Sequence, residues 1–93
     1  MNLARIILTA APTISAVKRA AGLLNFAALT AAGHEATARG EYIPAEVGRR
    51  AEALVASWVD AVTHAAPLPD STARMIASAI SMAGTACRVE VVG

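Results

Sequence analysis

Residues 44–65 read PAEVGRRAEALVASWVDAVTHA, and this stretch decides the fold class. Proline is favoured at the first helical position, where its missing N–H would have no intrahelical partner anyway. Glu46 follows at the positive end of the helix dipole. Val47, Ala51, Leu54, Val55, Trp58 and Val62 recur at three- and four-residue steps and form one apolar stripe. Arg49, Arg50, Glu52, Ser57, Asp60 and His64 mostly take the other face. The spacing predicts an amphipathic helix over 44–65.

Towards the C-terminus, Ala66-Pro67-Leu68-Pro69 breaks that helix, and Asp70, Ser71 or Thr72 is expected to cap the next. The next stripe is Ile76, Ala77, Ile80, Ala83 and Cys87, widened by Met75 and Met82, so a helix is predicted over 71–87. Ser78, Ser81 and Thr85 form its mild outer side. A helix with so little polar surface is either central in a bundle or covered by a partner. Arg88-Val89-Glu90-Val91-Val92 then alternates polar and β-branched residues, a strand signal. A lone strand leaves its backbone groups unpaired. Its mate is either LARIILTA at residues 3–10, or a neighbouring subunit; the alternative is a frayed tail.

Towards the N-terminus, Gly40 stops a helix expected over 13–39. Its expected stripe is Ile14, Val17, Ala21, Leu24, Ala28 and Ala31, with Lys18 and Arg19 outside it and Thr13 as N-cap. Gly22 and Gly33 weaken its interior by about 1 kcal/mol each relative to alanine, and Gly33 is an alternative end. Pro12 biases Ala11 away from helix. The cluster Ile6-Ile7-Leu8 fits a short strand or a turn or two of helix. The architecture expected is mainly α: a single domain over 1–93, a bundle of three helices with short terminal strands that can pair.

The 56% hydrophobic content and the mean hydropathy of +0.52 overstate the core. Alanine is roughly a quarter of the chain and brings little buried area. Phe26, Tyr42 and Trp58 are the only aromatics. Heavy alanine and arginine use suggests a GC-rich genome, and the size and composition fit a small accessory protein from a bacterium or phage. The net charge of +1 is no electrostatic footprint for nucleic acid. Every acid follows residue 34, whereas Arg5, Lys18 and Arg19 precede it. The stretch Ala20–Gly33 falls short of the about 20 residues a bilayer span requires. A cleaved secretory signal is not expected, because Pro12 and Lys18-Arg19 interrupt the apolar segment. Cys87 is the sole cysteine, so no internal disulfide forms, and a cytoplasmic location is expected.

No catalytic, cofactor or metal site is expected. His34-Glu35 opens like a zinc-protease HExxH, but Ala38 stands where the second histidine belongs. Cys87 with His64 and Asp60 has the residue types of a nucleophile, base and orienter. Cys87 lies on an apolar stripe, however, where cysteine behaves as a small hydrophobe. The glycines form no phosphate-binding loop.

These features point to a non-enzymatic interaction or assembly protein, including an accessory or inhibitor protein, whose partner is a second copy or a larger protein. The contact residues expected are Trp58, Met75, Met82, Val89 and Val91, with Arg49 and Arg50 as a polar patch. One alternative is a peripheral membrane protein, with Lys18 and Arg19 at headgroups and Ile14, Val17, Leu24 and Phe26 dipping inward. Another is a nucleic-acid-binding regulator using Arg39, Arg49 and Arg50, although the helix after the break offers only Arg74 and Arg88 as long basic side chains.

Overall fold

A computed structural model describes residues 2–93. The elements run β1 (Leu3–Leu8), α1 (Ile14–Ala38), α2 (Pro44–Thr63), β2 (Leu68–Pro69), α3 (Asp70–Met82) and β3 (Cys87–Val91). The fold is mainly α, with a small antiparallel sheet ordered β2-β1-β3. The two ends of the chain thus meet in one sheet, and LARIILTA is the mate of the C-terminal strand.

Alternation explains β1. Ala4 and Ile6 point inward and are fully buried, while Arg5 between them faces out. Across the ladder Ala4 faces Val91, Arg5 faces Glu90, Ile6 faces Val89, Ile7 faces Arg88 and Leu8 faces Cys87. Opposed residues share a face. Ala4, Ile6, Leu8, Cys87, Val89 and Val91 therefore form the side turned to the helices, and Arg5, Ile7, Arg88 and Glu90 the outer side. β2 adds only Leu68 and Pro69, opposite Ala4 and Leu3.

The Thr13 hydroxyl caps α1 by accepting the Ala16 N–H at 3.1 Å. The helix then runs unbroken through Gly22 and Gly33. Its inner face differs from the expected stripe. Ala16, Leu24, Ala28, Ala32 and Ala36 are buried, while Ile14 is 79% exposed. The i,i+4 ridge of alanines lets α2 approach closely, and α1 and α2 make the largest helix–helix interface in the fold. Val47, Ala51, Trp58 and Ala61 are the buried residues of α2, which starts at Pro44 as expected.

All three helices end the same way. Beyond α1, Glu41 N–H bonds to Ala36 C=O and Gly40 N–H to Thr37 C=O. Ala66 and Ala65 do this beyond α2, and Thr85 and Gly84 beyond α3. This paired bonding requires a left-handed residue at the turn. Gly40 and Gly84 supply it at φ +71° and +100°, and Ala65 does so at +49°, where its methyl group is crowded.

The turn at Gly84 corrects the predicted span 71–87. α3 stops at Met82, and Cys87 opens β3 instead of continuing the helix. The residue preceding α3 is Pro69, with no side-chain cap, so Asp70 lies in the first turn, where it pairs with Arg74 at 3.0 Å. Asp70 N–H also bonds to Asn2 C=O, tying the start of α3 to the start of β1.

Gly22 is exposed, and a methyl group placed there meets nothing within 4 Å. Gly22→Ala is expected to stabilise the protein by about 0.5–1 kcal/mol, through lower backbone entropy in the unfolded chain. Urea denaturation checks this; an unchanged or lower midpoint contradicts it.

Candidate interaction surface

The molecule is flat, 41 × 33 × 18 Å. One layer of side chains cannot cover every apolar residue in so thin a body, and several remain at the surface. The end of β1, the first half of α1 and the last half of α2 enclose an apolar groove of about 150 Å³. Leu8, Pro12, Val17, Val59 and Val62 line it, and Ile80 of α3 is also in its wall. Val17 and Val59, on opposite walls, are 51% and 49% exposed. The lining is aliphatic apart from Thr63 and Thr85, so the groove favours an apolar side chain over a charged one.

The expected contact residues fall in different places. Trp58 is only 6% exposed and belongs to the core of the chain. Met75 is half-buried against the core. Met82 ends α3 and is 73% exposed. Val89 is half-buried beside Ile6, and Val91, on the same face, is 65% exposed. α3 is covered within the chain, since Ala73 and Ile76 have no exposed surface. Sequence reasoning missed the groove lips Leu8 and Val59, and set Val17 among the core residues.

The charged residues are largely engaged with one another. Arg50 of α2 reaches Glu35 of α1 at 3.6 Å, and Arg39 reaches the same carboxylate at 2.9 Å. Two of the three arginines of a nucleic-acid patch thus share one acid across the helical hairpin. Arg49 makes no ion pair among the described residues. Arg5 pairs with Glu90 at 3.0 Å. Arg19 donates two hydrogen bonds to Ala83 C=O, at 3.0 and 3.2 Å, closing the C-terminal end of α3. Of the cations before residue 34, Lys18 alone makes no ion pair or hydrogen bond through its side chain among the described residues. Leu24 is buried, so it cannot dip into a membrane. No helix of the described residues is long and apolar enough to cross one.

The catalytic residue types do not converge. The Cys87 thiol bonds to Ala77 C=O at 3.6 Å, and burial pushes its pKa above the ordinary thiol value, away from a reactive thiolate. His64 caps the end of α2, with Nδ1 2.9 Å from Asp60 C=O and 3.3 Å from the Asp60 carboxylate. No hydrogen bond joins Cys87 and His64. His34 stands exposed on α1.

On the outer face of the sheet, Glu90 accepts from Arg88 at 2.8 Å and from Arg5 at 3.0 Å. The hydrogen bonds from Arg88 and then Arg5 hold its carboxyl below the ordinary value, so Glu90 is a carboxylate at neutral pH. Comparison with known proteins finds no matching family model, no similar curated protein and no similar solved structure.

Proposed function

We propose that this chain is a non-enzymatic interaction protein, cytoplasmic and of bacterial or phage origin, that holds a second copy or a larger protein through its exposed apolar surface. The observation that carries the reading is the groove between β1, α1 and α2, with aliphatic lips at Val17 and Val59. Exposed aliphatic residues gathered in a concave site mark a place where another apolar surface gains by excluding water. The membrane alternative is weaker, because Arg5 and Arg19 are occupied within the chain and interfacial helices carry more free cations.

The test compares the wild-type chain with Val17→Asp in its native host. Val17 is half-exposed, so the substitution leaves the core in place and puts a charge in the groove. The proposal expects a protein or second copy retained by the wild type and lost from a variant with the same circular dichroism. Equal retention by both, or none by either, contradicts it.

A further inference from the structure

We propose that the open edge of β3 pairs antiparallel with the same edge of a second copy, joining two three-stranded sheets into one. This inference rests on the interaction reading above and adds the partner and the surface. The edge follows from the ladder. Thr9 N–H bonds to Ala86 C=O, and Val92 N–H to Leu3 C=O. Hydrogen-bonded pairs alternate along an antiparallel ladder, so Arg88 and Glu90 also turn their backbone groups to β1. Cys87, Val89 and Val91 turn theirs away, to the outer side of a strand that has no further neighbour among the described residues.

Edge strands are ordinarily blunted by proline, lysine, a bulge or short length. β2, at the opposite edge, is two residues long and ends in Pro69. β3 is five residues long, CRVEV, with no proline or lysine, and its two charges, Arg88 and Glu90, are of opposite sign, so they repel a like strand only in the wrong register. A groove of about 350 Å³ runs beside it, bordered on α3 by the small side chains of Ala77, Ser78 and Ser81 and, at one end, by Arg74. It offers room for the inward side chains of an added strand.

Charge selects the second copy and its register. With a two-fold axis through Val89, the outward backbone groups of Val89 meet their own equivalents, and Cys87 meets Val91. On the outer face Arg88 then lies directly opposite the second copy's Glu90, and Glu90 opposite its Arg88. Each Glu90, held at 3.0 Å by Arg5 and at 2.8 Å by Arg88 of its own chain, would also face the other copy's Arg88, so that the two Arg88–Glu90 pairs form one network across the axis. Centring the axis on Arg88 or Glu90 sets like charges opposite each other, which destabilises a strand pair. The sequence Arg-Val-Glu is therefore self-complementary about its central valine.

Sedimentation of the full chain tests this, using wild type, Arg88→Glu, Glu90→Arg and an equal mixture of the two variants. The wild type is expected at twice the 9.5 kDa chain mass. Either variant alone sets like charges opposite each other, and its dimer dissociation constant rises about tenfold or more. The mixture restores opposite charges at both positions and recovers the dimer. Arg88→Glu leaves the Arg5–Glu90 pair in place, so it carries the test if Glu90→Arg does not fold. A wild type of one chain mass at every concentration overturns the proposal. So does a dimer indifferent to Arg88→Glu. If that dimer is instead lost in Val17→Asp, the edge is wrong and the groove reading survives.

Discussion

Trp58→Ala is expected to lower the free energy of unfolding by about 3–5 kcal/mol. The indole is the largest side chain in the core and is 6% exposed. Its removal loses apolar burial and leaves a cavity that the rigid α1–α2 hairpin fills only partly. The whole stability of a small domain is about 5–15 kcal/mol, so a substantial unfolded fraction at room temperature is expected. Urea denaturation followed by circular dichroism reads the change without needing the lost fluorophore. The same residue at a partner interface would behave differently: the isolated chain would keep its stability, and only association would weaken. A loss under about 1 kcal/mol would move Trp58 out of the core.

Ala28→Leu is expected to destabilise by about 1–3 kcal/mol, although it adds an apolar side chain to an apolar site. Ala28 has no exposed surface and lies mid-way along the buried ridge of α1. Small residues there set how closely α1 approaches its neighbours. Three extra carbons must push the backbone or force a poor rotamer. Alanine thus contributes through proximity more than through its own area. A raised urea midpoint for Ala28→Leu would mean that the helices stand further apart than the structure places them.

The helices were legible because their apolar residues keep a 3.6-residue period between strong punctuation at Pro12, Gly40 and Pro67. Two local readings failed, each for a physical reason. Ile14 and Val17 outweigh alanine in any hydropathy pattern, so they drew the inner stripe of α1 away from the alanine ridge that is buried. The pattern of α3 ran on to Cys87 because the half-buried Cys87 and Val89 of β3 continue the apolar character of the helix before it. Gly84, in its left-handed turn, was the available stop signal. The strand mate was one of the stated alternatives, and the alternation of Arg5 between Ala4 and Ile6 matches that of Arg88, Val89 and Glu90.

The interaction surface was less legible. Periodicity separates buried from exposed faces, but it does not say whether the covering atoms belong to the same chain. Trp58 is covered by its own fold, whereas Val91 and Met82 are not. The groove is assembled from segments as far apart in sequence as Leu8, Val17, Val59 and Ile80, so no local pattern announces it. The self-complementary Arg88-Val89-Glu90 motif was present in the strand signal, but it gained meaning only when the register showed which backbone groups face outward.

Amide hydrogen exchange along β3, resolved residue by residue, tests most directly what covers this edge. The Arg88 and Glu90 amides point to β1 and are expected to be protected at all protein concentrations. The Val89 and Val91 amides point outward, and protection is expected where the dimer forms and is lost on dilution or in Arg88→Glu. Fast exchange at Val89 and Val91 at every concentration, beside protected Arg88 and Glu90, would contradict edge pairing.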